Sequence, residues 1–580
     1  MTFRMFPLFY LVALMTSSYA DKCPQPCECD HDLTFVYCYG GGLNTTHFYR
    51  IIQLLPSNVI ELHIQAPEDK PNHFKWNDNL NRLTKLERIS FINCNIPAIS
   101  QRVRIKSLKS LNLQHNYIDS LQMDSFNGLP NLEHLDLSYN HISVVPSGSF
   151  IYLRSLKSLS LSHNYIKELP SNLFYGPQRL QQLQFDGLKI SVDQLNPLLD
   201  NLPYLERLEI NHCNLGDSAI SGVWLHKVPK LSRLGIGGNN LTVIPSHKLR
   251  ELPHLQTVDL SNNKIRKIPP CSFCSCNITT IFLGHNLLGI DENSLTIESF
   301  ADVNVEKLEL SFNFFDNFNS KLLWKAKHSI RSLDLSGNTL TRPRKTLIQD
   351  LPNLSSLHLA SNHMEELPNT WPIEYSSLAF LNLSSNHIKV IPSTFVDSLP
   401  FLKILDISQN EIRYIDDHII DFLTETTERV YMYRNPWDCR CAHGGVQKYL
   451  KHRKQILPFS EPVTCETPFE LKGIPVRKVS KINECNLIFG GSYQLSQMSE
   501  LGILLSAVIG LATLISGFMF VAMAIRRRKY RLKKPNYNHS EVRSPFPMDT
   551  ITSPLKTRFK DEEIPDLPPP LQPLTTFGHV

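Results

Sequence analysis

The chain has 580 residues, 42% of them hydrophobic and 19% charged, a balance that excludes a disordered protein and leaves room for several domains. Its formal charge of +5 resides in residues 526–580, with 11 Lys or Arg against 6 Asp or Glu, while residues 1–525 balance at 48 against 48. Composition therefore gives the main body no case as a nucleic-acid or polyanion binder, and 13 cysteines alongside N-x-[ST] sequons set it apart from a cytosolic enzyme.

At the N-terminus Arg4 precedes an apolar run from Met5 to Leu14, and Ser18 and Ala20 have the spacing that signal peptidase reads. Residues 1–20 are expected to be a signal peptide, which places the following cysteines in an oxidising compartment. Downstream, one frame, L-x-x-L-x-L-x-x-N-x-L, recurs throughout residues 59–412, as in Leu132, Leu135, Leu137, Asn140 and Ile142. Its first apolar positions run from Val59 to Leu402 in fifteen units spaced 22 to 27 residues apart. Such a period marks a repeat architecture, in which the L-x-L tripeptide is a short strand burying alternate side chains against its neighbours.

The recurring Asn has its own role. Where the chain bends away from the sheet it leaves backbone polar groups in the interior, and a stack of Asn side chains can bond them from coil to coil. Asn116, Asn140, Asn164, Asn239, Asn263, Asn286, Asn313, Asn338, Asn362, Asn386 and Asn410 form that ladder. Cys94 and Cys213 share its slot as buried free thiols, five repeats or roughly 24 Å apart, too far for a disulfide. Leu188 breaks the ladder, so irregularity is expected around residues 186–225.

These units resemble extracellular leucine-rich repeats. The resemblance implies an α/β-type solenoid, a horseshoe with a parallel concave sheet across residues 59–426. Cys23-x3-Cys27-x-Cys29 with Cys38 resembles the N-terminal cysteine-rich cap of that family, residues 21–58. Asn435-Pro436-Trp437-x-Cys439-x-Cys441 with Cys465 and Cys485 resembles its C-terminal cap, residues 427–486. The family pattern implies Cys23–Cys29, Cys27–Cys38, Cys439–Cys465 and Cys441–Cys485, whereas spacing alone leaves three connectivities for each four; zinc is the alternative that an outside compartment disfavours. Cys271, Cys274 and Cys276 are an odd set, read as one small loop plus a free thiol or a bond to another chain.

After a juxtamembrane linker, residues 487–500, Leu501 to Ile525 holds no charge and would make about 37 Å of helix, enough to span a bilayer. Seven bases between Arg526 and Lys534 follow it, so the positive-inside bias predicts a single-pass type I plasma-membrane protein with its N-terminus outside. Gly502, Ser506, Gly510 and Gly517 fall on nearly one face, a spacing that allows homodimerisation through this helix. The tail, residues 526–580, reads as disordered, with a polyproline stretch at Pro565, Pro568, Pro569, Pro570 and Pro573 suited to SH3, WW or EVH1 grooves, and Val580 suited to a PDZ pocket.

No metalloprotease helix, nucleophile elbow or phosphate loop is present, so a cryptic enzyme is the least supported reading, and no catalytic residue, cofactor or metal is expected. His115, Tyr139, His163, His212, His285 and Phe312 precede the ladder position, either as an aromatic binding strip or, more ordinarily, as tolerated polar residues in a solvated slot. Sequons at Asn44, Asn240, Asn277, Asn353 and Asn382 predict glycans outside, and alternation places Asn382 on the concave sheet. Arg88, Arg207, Glu209, Arg233 and Phe282 project from glycan-free parts of that sheet and are the candidate ligand contacts, with Gly235, Gly237 and Gly238 leaving a low floor beside Arg233. The whole of residues 21–525 resembles leucine-rich-repeat-only type I receptor and adhesion proteins. Among these it is similar to invertebrate receptors that pattern dendrites and axons, which implies an extracellular protein ligand or co-receptor and cytosolic adaptors. An epidermal organiser of apical extracellular matrix is the alternative. N-terminal sequencing of the mature protein should read from Asp21, and protease protection should leave the C-terminal tail on the cytosolic side.

Overall fold

The structure, a computed structural model, describes residues 23–99, 103–343, 345–370, 377–440, 445–452 and 462–479, all within one compact unit, Met1–Phe489. The signal sequence, Cys441, Cys485, the span 501–525 and the tail motifs lie outside the described residues. Among the described residues no helix is long and apolar enough to cross a membrane.

An 18-stranded sheet runs the length of the unit. Strand β1, Cys27–Cys29, pairs antiparallel with β2, Phe35–Cys38, and every later pairing is parallel between consecutive strands. The fifteen repeats carry β3, Glu61–Gln65, β4, Arg88–Ile92, and the three-residue strands β5, Ser110–Asn112, β6, His134–Asp136, β7, Ser158–Ser160, and β8, Gln182–Gln184. They continue through β9, Arg207–Glu209, β10, Arg233–Gly235, β11, Thr257–Asp259, β12, Thr280–Phe282, and β13, Lys307–Glu309. The last are β14, Ser332–Asp334, β15, Ser356–His358, β16, Phe380–Asn382, and β17, Ile404–Asp406; β18, Arg429–Tyr431, extends the sheet into the C-terminal cap.

Stacking of like on like builds the core. The central residue of each strand pairs in register with the next, Leu111 with Leu135, Leu159 with Leu183, Leu208 with Leu234, and all of these are buried. Period-two alternation therefore turns the flanking residues to the open face of the sheet. Burying a leucine contributes roughly 1.5–3 kcal/mol, but a lone repeat has no neighbour to bury it against.

The ladder forms as a column interrupted at Leu188. Asn140 Oδ1 accepts the Ile118 N–H at 3.1 Å, while its Nδ2 donates to the carbonyls of Leu113 at 2.9 Å, Leu137 at 3.0 Å and Ser138 at 3.2 Å. One side chain thus bonds its own turn and the preceding repeat. The column extends beyond the frame: Asn72 accepts from the Leu43 N–H at 2.8 Å, and Asn435 accepts from the Ile412 N–H at 3.1 Å. Cys94 and Cys213 stand in it as donors, their thiols reaching the carbonyls of Ile92 and Phe185 at 3.3 Å each, and burial pushes both thiols up to about 12.

The expected irregularity after Leu188 lies off the sheet. Strands β8, β9 and β10 stay in register, and it is the return segments that coil differently, as helices Val192–Leu199 and Asp217–Gly222. Leu188 is buried, so apolar packing holds its slot where side-chain hydrogen bonds do not. Disulfides join Cys23 to Cys29, Cys27 to Cys38 and Cys439 to Cys465. In the odd set Cys271 bonds Cys274, and Cys276 is a buried free thiol, which does not display it to a second chain. Replacing Asn140 with Leu strands the Ile118 N–H, while the carbonyls of Leu113, Leu137 and Ser138 keep Asn116, Asn164 and the His115 N–H, and should lower stability by roughly 1–3 kcal/mol, the cost of one unsatisfied buried group. Asn140→Cys, which keeps a weak donor and acceptor as Cys94 does, should cost clearly less in denaturant unfolding; equal losses would show that shape alone fills the slot.

Candidate functional site

Strands β9 and β10 place Arg207 and Arg233 directly opposite each other, an arrangement of like charges that destabilises a sheet unless something neutralises it. Glu209, two residues after Arg207 and on the same face, does so. Its Oε1 accepts from Arg207 Nε at 2.8 Å and Arg233 Nε at 2.7 Å, and its Oε2 accepts from Asn211 Nδ2 at 3.0 Å. The carboxylate sinks into a notch that glycine provides, since a Cβ on Gly235 would lie 1.7 Å from Glu209 Oε2. Depth separates the partners: the Glu209 side chain is 4% exposed, those of Arg207 and Arg233 38% and 34%. Each guanidinium is held through Nε, and its terminal nitrogens have no partner among the described residues.

Two strands on, Phe282 receives two cations. The Arg233 guanidinium carbon lies 6.0 Å and Lys307 Nζ 5.2 Å from its ring centroid, within or at the limit of cation–π range. The nearby carboxylates are already served. Asp259 accepts from the N–H and hydroxyl of Ser261, and Glu309 from the N–H groups of Gly284 and Ser311. Burial pushes the Glu309 carboxyl upward against those bonds, and burial likewise raises Asp186, which accepts the Asn211 N–H at 2.8 Å. The open face here therefore offers donors rather than acceptors.

Arg207, Glu209, Arg233 and Phe282 are thus brought together, and Arg88 is not. Arg88 lies five strands away on β4, ion-paired with Glu61 at 2.6 Å, and Glu61 also meets His63 at 2.7 Å. Burial pulls the Glu61 carboxyl up, but these hydrogen bonds hold it below its ordinary value. Sequence reasoning missed Lys307 and Asn211; the low floor expected at Gly235 is there, and the Glu209 carboxylate fills it. Lys307 was legible, because its Lys-Leu-Glu strand follows that of Phe282 in the same frame.

Of the sequons, Asn44 caps the helix Thr45–Leu54 by accepting the His47 N–H, and Asn240 is half-buried. Asn277 and Asn353 are exposed and donate to the carbonyls of Pro253 and His328 in the preceding repeats. Asn382 lies on the sheet face, half-buried, accepting the Ser384 N–H at 2.9 Å.

The aromatic file is a stack of rings. His115 and Tyr139 lie 4.4 Å apart, Tyr139 and His163 4.4 Å, and His285 and Phe312 4.2 Å. A second file lies two residues on, with Tyr117 stacked on His141 at 4.8 Å and His141 tilted against Tyr165 at 5.6 Å. All six members of the file before the ladder have left-handed φ between 50° and 56°, and where the next repeat lacks a ring it has glycine. A Cβ on Gly238 would meet the His212 ring at 2.1 Å, and one on Gly337 the Phe312 ring at 2.4 Å. Burial lowers His163, with His212 and His115 adding to it, and burial lowers His285. The file is coil-to-coil packing along the sheet edge.

Models described as Leucine rich repeat match residues 106–166, 229–288 and 376–428, and a further one matches residues 201–223. Mouse lumican is 35% identical over 144 residues, 24% of this chain and 39% of lumican; chicken lumican is 32% identical over 160 residues, 27% and 44%. The chain thus spans about two fifths of the length of the curated relatives it matches. Among solved structures the mouse RP105/MD-1 complex superposes with a TM-score of 0.50 at 18% identity, covering 79% of this chain and 100% of that one. Sequence and fold together define a leucine-rich repeat solenoid with disulfide-bonded ends.

Glu209→Gln should destabilise the protein by about 2 kcal/mol, because it leaves two opposed arginines with a neutral partner and breaks a largely buried ion pair. Adding Arg233→Gln should return part of that loss in a double-mutant cycle; strict additivity would mean that the three side chains are not coupled.

Proposed function

We propose that the protein is a cell-surface receptor or adhesion molecule that binds an extracellular protein ligand on the open face of its sheet, with Arg207, Arg233, Phe282 and Lys307 at the contact. The observation that carries this reading is the donor-rich cluster itself, cations raised above a recessed carboxylate beside an aromatic ring, on a face whose other carboxylates are already bonded. Arginine and aromatic side chains are the groups in which binding energy concentrates at protein interfaces. A solved structure of similar fold, mouse RP105, is held in a complex with MD-1, in keeping with a solenoid that takes a protein partner.

In this reading residues 501–525 anchor the protein, glycans at Asn44, Asn240, Asn277, Asn353 and Asn382 shield other surfaces, and the tail recruits adaptors through Pro565–Pro573 and Val580. Neuronal patterning is the process that the family resemblance favours. A binding screen of secreted and cell-surface proteins against cells displaying the full chain should yield a partner, and no partner from a comprehensive panel would count against the receptor reading. Removing residues 561–580 should abolish signalling while leaving surface level and affinity unchanged; lost surface expression would instead assign the tail to trafficking.

A further inference from the structure

We propose that the Arg207–Arg233 pair recognises a carboxylate, an Asp or Glu side chain of the protein ligand, whose neighbouring apolar side chain rests on Phe282; this deepens the receptor reading and rests on it. Three features of the cluster lead there. First, both guanidiniums are preorganised. Glu209 Oε1 holds each by Nε alone, at 2.8 and 2.7 Å, which fixes the fork and leaves the terminal nitrogens for a second acceptor. Planar forks match the two oxygens of a carboxylate, and most of the side-chain entropy that binding would cost is already lost.

Second, the local charge suits a monoanion. Within the ion-paired trio two arginines against one glutamate leave a single positive charge, with Lys307 farther along the face beyond Phe282. Glu209 beneath it, Asp186 and Asp259 on the flanking coils and Glu309 farther along on β13 would repel a phosphate dianion or a polysulfated chain more than a lone carboxylate. Third, the apolar contact is adjacent. The Phe282 ring lies between Arg233 and Lys307, half-buried, so a ligand acid flanked by an apolar residue would find both of its neighbours on one surface.

The glycine notch ties these features together. Gly235 is what allows Glu209 to sit low enough to grip both arginines without competing for their outer nitrogens. A recessed carboxylate that orients two cations is costly to build, because Glu209 is almost wholly desolvated. Plain stability would be as well served by apolar residues at the same positions.

The test uses the full chain in nanodiscs and a random peptide library displayed on phage. The selected pool should be rich in Asp or Glu next to an apolar residue, should lose at least about tenfold in affinity when that acid becomes Asn or Gln, and should weaken as ionic strength rises. It should lose a similar factor on R207Q/R233Q. Because that variant strands Glu209, the charge-balanced R207Q/E209Q/R233Q and the peripheral K307Q serve as folded checks, the first expected to abolish selection and the second to weaken it severalfold. A pool without acids, binding unchanged in the triple variant, no peptide enriched above background, or heparin oligosaccharides binding the pair in place of peptides would each overturn the carboxylate site. A protein partner found by the cell-surface screen whose affinity ignores the triple variant would sink this proposal and leave the receptor reading standing.

Discussion

Everything in this solenoid depends on hydrogen bonding between successive coils by a buried asparagine. Each repeat must turn its backbone away from the sheet inside the protein, and the turn leaves an N–H and several carbonyls that water cannot reach. Asn140 serves four of these groups at once, two of them in the preceding repeat, and the same pattern recurs at Asn386 and Asn410. Leucine burial supplies the larger energy but does not care about register. The amide does, and it sets the pitch at which leucines stack.

The ladder also dictates the strained positions beside it. To point the amide inward, the preceding residue takes left-handed φ, as His115, Tyr139, His163 and His212 do, at a cost of about 1–2 kcal/mol each for an ordinary residue. Rings at this position then lie face to face or cover the glycine of the next coil, so dispersion between coils offsets the strain. Each run of rings along this edge ends on a glycine of the next coil, at Gly187, Gly238 and Gly337, because each ring needs either a partner or a gap.

The open face follows from the same geometry. With alternate side chains committed to the core, the remaining positions are free of packing demands, yet exact register places every one of them against its counterpart in the next coil. Charges there meet across coils at two places: Arg88 meets Glu61, and Arg207 meets Arg233 and must share Glu209. At both, the charges form a small cluster with a defined depth, cations above and the carboxylate below. Such clusters can be selective for a ligand while remaining compatible with folding.

The repeat frame and its ladder were legible in the residues alone, because a period of 22 to 27 with leucines at fixed offsets has one physical solution, parallel stacking, whereas the pairing of the cysteines at the ends came only from the family resemblance. Alternation likewise identified Arg207, Glu209, Arg233 and Phe282 as outward-facing. Asn72 and Asn435 escaped, the first after a long loop that breaks the frame and the second inside the cap motif, since spacing cannot see a slot that the fold fills from an irregular segment. The stacking of the aromatic file was likewise invisible, because it rests on left-handed backbone and on glycines one repeat later. What tertiary structure alone decided was who meets whom across coils: that Arg88 belongs to Glu61, that Glu209 sinks over Gly235, and that Lys307 joins Phe282. Sequence determines which face a side chain takes, through a local period of two; its depth and partners come from neighbours some 24 residues away, and those distances exist only once the coils are stacked.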